Sequence, residues 1–98
     1  MTINKNLNGT TLCIALEGRL DTTTAPDLEA EIKQSINGVT ELIMDFEKLD
    51  YISSAGLRVL LSAQKKMTKQ GSMKIIHVNE MIMEVFEVTG FVDILTIE

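Results

Sequence analysis

The most regular run of apolar positions lies in the second half of the chain, where Gly56, Val59, Leu60, Ala63 and Met67 recur at helical spacing. Ser62, Lys65, Lys66 and Lys69 fall on the other side, so the spacing predicts an amphipathic helix over Arg58 to Lys69, stopped by Gln70 and Gly71. Upstream, Asn8-Gly9 is a hairpin signal, because both residues tolerate the positive backbone angles of a tight turn. It joins a weak strand, about Thr2 to Leu7, to a stronger one, Thr11 to Glu17, and Gly18 breaks the pattern. Thr24 is a candidate cap for a helix with Pro26 and Asp27 in its first turn and Leu28, Ile32 and Ile36 as its buried stripe; Asn37-Gly38 ends it.

Glu41 to Phe46 reads as a buried strand, since Leu42, Ile43 and Met44 form a continuous apolar run of the kind parallel sheets bury on both faces. Met73 to Val78 supplies another strand. Asn79 caps a third helix, with Ile82, Val85 and Phe86 inside and Gly90 closing it, and Val92 to Ile97 is a last short strand. The order strand, strand, helix, strand, helix, strand, helix, strand predicts an α/β fold: a mostly parallel mixed sheet with an N-terminal hairpin and crossover helices, as one domain over residues 1–98.

Composition narrows the function. A net charge of −5 argues against a nucleic-acid partner, because neutralising phosphates requires clustered Lys and Arg. No stretch approaches the roughly 20 apolar residues of a membrane span, and the N-terminus does not read as a secretory signal. The single cysteine, Cys13, excludes an internal disulfide and fits a reducing compartment, so the expectation is a cytoplasmic protein with an inert, buried thiol.

Catalytic constellations are missing. There is no phosphate-binding loop motif and no paired Cys or His spacing for zinc, so neither cofactor nor metal is expected. His77, the sole histidine, reads as mid-strand, and the position two before Ser54 is Ile52 where a hydrolase elbow needs Gly. Asp45 reads as a strand end, Asp50 as the loop after it and Asp21 as following Gly18-Arg19-Leu20, all at strand ends or just beyond on one edge of the sheet; turn formation and helix capping account for them, and a ligand is the alternative. The remaining chemistry is at Asp50 to Leu57, where two hydroxyls, Ser53 and Ser54, stand at a strand-to-helix junction. There Ser54 can cap the helix, or carry a phosphate favoured by free amides and the positive end of the helix dipole.

Four segments taken in order, Glu17 to Asp21, Leu42 to Phe46, Tyr51 to Leu57 and Val85 to Phe91, resemble the landmarks of the STAS domain, and more narrowly those of bacterial anti-sigma factor antagonists. The resemblance runs nearly end to end. It implies a non-enzymatic partner-switching protein. Unphosphorylated, such a protein sequesters an anti-sigma factor that is also a serine kinase of the histidine-kinase-like ATPase type; phosphorylation releases it, and a PP2C-type phosphatase restores it. The matching acceptor is Ser54, with Ser53 the alternative. The family commonly has Asp before the acceptor and Ser or Thr after it, where this chain has Ser53 and Ala55. Asp21 matches a family aspartate near the acceptor. Leu57 and Leu61 widen the apolar face of the helix, either as core or as partner surface, and Arg58 beside Ser54 is placed to meet an acidic patch on the partner. A second function compatible with the resemblance is a STAS module outside sigma-factor control, binding a nucleotide or lipid near Asp21 and Asp45 or serving a larger signalling or transport complex.

Overall fold

The computed structural model describes all 98 residues. Strand β1 (Thr2–Asn8) pairs antiparallel with β2 (Thr11–Leu20) through the Gly9 turn, with Asn8 opposite Thr11. Helix α1 (Ala25–Ser35) leads to β3 (Glu41–Ile52), and helix α2 (Ser54–Gln70) to β4 (Ser72–Ile76). Helix α3 (Glu80–Thr89) follows, capped by Asn79 and closed at Gly90 in the left-handed conformation. The four strands lie in sequence order, β2, β3 and β4 mutually parallel.

That order dictates the layers. Each parallel step moves in the same direction across the sheet, and right-handed crossovers then place α1 and α2 on the same face. Leu12, Ile14 and Leu16 of β2, Leu42, Met44 and Phe46 of β3, and Met73 and Ile75 of β4 are buried beneath them, in one cluster that also takes in Leu28, Leu60, Met67, Ile82 and Phe86. Residues at alternate positions, Cys13, Ala15, Ile43, Asp45, Lys74 and Ile76, are only half-buried, so the opposite face is open. The expectation of burial on both faces of β3 is therefore corrected: a sheet that never reverses direction has helices on one side only. Cys13 is likewise half-exposed on the open face. Burial still pushes its thiol pKa up, and the Asp45 carboxylate adds to the rise.

Two other boundaries differ from the sequence pattern. Strand β2 continues through Gly18 to Leu20, and β3 runs to Ile52, because β3 takes up two extra residues against β2: the register shifts between Ala15 and Glu17 and again between Gly18 and Arg19. These bulges change the phase of burial from Met44 and Phe46 to Leu49 and Ile52, which hid the strand's second half from an alternation test. The expected last strand is instead a turn of 3-10 helix, Phe91–Asp93, followed by a single parallel bridge between Ile97 and Ile75. Leaving Gly90 in a left-handed conformation spends those residues on the turn, and only the last few reach β4, where the Ile75 amide donates to the Thr96 carbonyl and the Glu98 amide to the Ile75 carbonyl.

Candidate functional site at the start of helix α2

The C-terminal ends of β2 and β3 stop side by side, Leu20 opposite Ile52, and the Ser53 amide donates to the Leu20 carbonyl at 2.9 Å. Asp21 and Ser53 thus leave the sheet together. Ser53 sits in an extended conformation (φ −101°, ψ 175°), and its hydroxyl accepts from the Gly56 amide at 3.4 Å. Ser53, not Ser54, is therefore the helix cap. Ser54 is the first helical residue; it is exposed, and its hydroxyl makes no hydrogen bond within the protein. Thr24 does not cap α1 through its side chain either. Its hydroxyl accepts from the Asp21 amide at 2.8 Å and donates to the Arg19 carbonyl at 2.8 Å, bracing the turn instead.

Gly56 lets the first turn of α2 come down onto the strand ends. A Cβ there would lie 2.7 Å from Leu20 Cγ and 2.9 Å from Ile52 Cγ1, inside van der Waals contact. The close approach fixes where the first turn projects, with Ser54 outward and Leu57 inward.

Asp21 is held by its own turn. Its Oδ1 accepts from the Thr23 hydroxyl at 2.7 Å and from the Thr23 and Thr24 amides at 3.1 Å each. These bonds, led by that of the Thr23 hydroxyl, hold its pKa below the ordinary carboxylate value. Arg19 stands alongside, its Nε 3.8 Å from Asp21 Oδ2 and its guanidinium carbon 4.1 Å from the centre of the Tyr51 ring. An open cleft of about 230 Å³ between the starts of α1 and α2 is lined by Thr22, Pro26, Glu29, Ala55 and Arg58 among others.

The structure thus brings together Asp21, Ser53, Ser54 and Arg58, and alters the two leucines. Leu57 is buried in the core, because the descent of α2 at Gly56 turns that position under the helix; it is withdrawn from the candidate partner surface. Leu61 is half-buried and keeps some exposed area. Asp45 does not join the site. It pairs with Ala15, and Ile52 is seven positions further along β3, roughly 20 Å away at about 3.3 Å per residue. The expected common edge for Asp21 and Asp45 is therefore corrected, since β3 continues past Asp45 to Ile52 before it stops beside the end of β2. Asp50, expected in the loop after the strand, is instead exposed on β3 itself, because the bulges carry that strand on to Ile52. Sequence reasoning also missed Arg19 and Tyr51, whose stacking depends on the second bulge.

His77, expected mid-strand, lies just past β4 in a left-handed backbone (φ 59°) with an exposed ring. Its Nδ1 is 2.9 Å from Asp45 Oδ1, and that hydrogen bond, followed by the charges of Asp45 and Glu47, raises its pKa. Burial pushes the Asp45 carboxyl up, but hydrogen bonds from the Glu47 amide and His77 outweigh it, and the net shift is downward. No helix is long and apolar enough to cross a membrane.

The chain is similar to several known proteins. The family model described as STAS domain matches residues 2–98. The chain is 38% identical over 85 residues to BtrV of Bordetella bronchiseptica, a protein named as an anti-sigma factor antagonist, covering 85% of this chain and 73% of that one. It is 28% identical over 100 residues to the anti-sigma-B factor antagonist of Bacillus subtilis, covering 99% of this chain and 92% of that one. Its fold matches the phosphorylated form of the Bacillus cell fate determinant SpoIIAA with a TM-score of 0.78 at 22% identity, over 99% of this chain and 91% of that one.

Proposed function

Because the chain belongs to the STAS domain family, we propose that it is an anti-sigma factor antagonist whose binding is switched by phosphorylation of Ser54. The observation that carries this reading is the division of labour at the start of α2: Ser53 takes the capping role and leaves the adjacent Ser54 hydroxyl exposed and unbonded. A kinase can then reach Ser54 without unmaking the helix cap. In this scheme the anti-sigma factor is itself the kinase, of the histidine-kinase-like ATPase type, and a PP2C-type phosphatase reverses the modification.

The energetics suit a switch. The amides of Ser54 and Ala55 have no intrahelical partner, so a phosphate there meets free donors and the positive end of a 17-residue helix. The isolated domain gains roughly 0.3 to 1 kcal/mol from an anion at that end. In a complex the same charge, about −1.5 to −2, is forced against a surface built for a neutral hydroxyl. Leaving such a charge unpaired costs on the order of 2 to 5 kcal/mol, roughly thirty-fold to several thousand-fold in affinity. Asp21, held ionised beside the site, adds repulsion.

The test is capture of the cognate anti-sigma factor by the wild-type chain and by Ser54→Asp, with circular dichroism as a folding control. Loss of capture with an unchanged fold is expected, and undiminished capture contradicts the proposal.

A further inference from the structure

The open face of the sheet carries a cluster that the switch does not use. Asp45 and Glu47 flank Phe46 at the first β3 bulge, where the register against Ala15 and Glu17 slips by one residue. Phe46 turns into the core and both carboxylates stay outside it, the Glu47 amide donating to Asp45 Oδ1 at 3.0 Å. His77 comes from beyond β4, its left-handed backbone accompanying a ring that returns to Asp45. Its Nδ1 lies 2.9 Å from Asp45 Oδ1 and 3.7 Å from Glu47 Oε2, and one ligand atom from each of the three residues falls within 4.8 Å of the others.

The 2.9 Å and 3.7 Å separations from His77 Nδ1 bracket the edge of a coordination shell. With zinc–nitrogen and zinc–oxygen bonds of about 2.0 to 2.2 Å, donors of a tetrahedral site stand about 3.4 Å apart. One imidazole and two carboxylates suit zinc and neighbouring first-row divalent ions better than calcium or magnesium. Room for a fourth ligand lies beside them, since Asp45 and Glu47 also line an open cleft of about 240 Å³, together with Asn4, Ala15, Glu17 and Lys48. The cleft's one cation, Lys48, is 3.9 Å from Glu17, and its charge also reaches Asp45. The geometry points to a binding site for a zinc-like divalent cation held by Asp45, Glu47 and His77 on the open face of the sheet, with its remaining coordination position toward this cleft. Coordination needs Nδ1 free of its proton, so the His77–Asp45 hydrogen bond gives way to the two metal–ligand bonds. The site is roughly 20 Å of β3 away from Ile52, so it stands or falls independently of Ser54.

The experiment is a titration of the intact chain with zinc chloride in phosphate-free buffer at about pH 7.5, where the imidazole can deprotonate. Heat is recorded together with the ring resonances of His77, which is the only histidine and so needs no assignment. Saturation at one equivalent with a shift of those resonances is expected. Affinity should fall about ten-fold or more in each of Asp45→Asn, Glu47→Gln and His77→Ala, and hold in Cys13→Ser. All three ligands are surface groups, so these variants should keep the wild-type circular dichroism. Absence of saturable binding, unchanged affinity in His77→Ala, or loss of binding in Cys13→Ser overturns the assignment.

Discussion

At the start of α2 the backbone turns from the extended conformation of Ser53 into the helix at Ser54, and this one step separates the roles of two adjacent hydroxyls. Removing each should therefore have different consequences. Ser53→Ala deletes the cap on Gly56 and should cost about 1 kcal/mol, a fall of about 4 to 8 °C in the thermal midpoint of a domain this size. Ser54→Ala removes an exposed, unbonded hydroxyl and should change stability by less than about 0.5 kcal/mol. A calorimetric scan of the pair checks this, and equal losses would contradict the assigned cap. Asp21 gives a pH signature. Its folded pKa lies below the ordinary value of 3.8, so the stabilisation is complete above that value and disappears as pH falls through the folded pKa. Urea midpoints from about pH 7 to pH 2 should thus show a shallower acid limb for Asp21→Asn than for the wild type, since the variant has no carboxylate to protonate at that turn.

At the scale of elements, α2 is the best defined from sequence and its placement the least. The 3.6-residue spacing of Val59, Leu60, Ala63 and Met67 marks its buried face unambiguously, and all four are buried. Its closeness to the strand ends rests on one missing side chain at Gly56. Gly56→Ala should destabilise by about 1 to 3 kcal/mol, because Leu20 and Ile52 must shift to admit the Cβ, and should perturb binding through the displaced first turn. Chemical denaturation measures the first effect; a cost near zero would mean that the strand ends yield easily. Helix α3 depends similarly on Asn79, whose Oδ1 accepts from the Ile82 amide at 2.8 Å while its Nδ2 donates to the Leu49 carbonyl at 3.0 Å, fastening the helix to β3. Asn79→Ala should cost about 1 to 2 kcal/mol, readable in the same denaturation series. The element order, the hairpin and the three helices are legible because turn residues and periodicity are local signals. The β3 bulges, the single covered face and the end of the chain are not, because register and crossover direction are settled between strands. Asp45 and His77 stand out singly in the sequence but not as neighbours: only the parallel pairing of β3 with β4 sets mid-strand Asp45 and Glu47 beside His77, just past the end of β4.

For the whole molecule, a switch of this kind must leave the fold unchanged while altering what it can bind. The architecture separates these demands. The hydrophobic cluster lies between the helices and one face of the sheet, whereas Ser54, Arg58 and Asp21 lie at the rim where β2 and β3 end. Charge added at that rim meets solvent and helix amides in the free domain, and an interface only in a complex. Leu61 keeps some exposed area on the same helix, while Leu57 contributes to the core beneath it. The most direct measurement is phosphosite mapping by mass spectrometry of the protein isolated from its own cells, before and after incubation with cell lysate and ATP. A phosphate localised to Ser54, absent from a Ser54→Ala chain treated identically, is the expected result. Phosphate confined to Ser53, or none in either sample, would contradict a switch at Ser54.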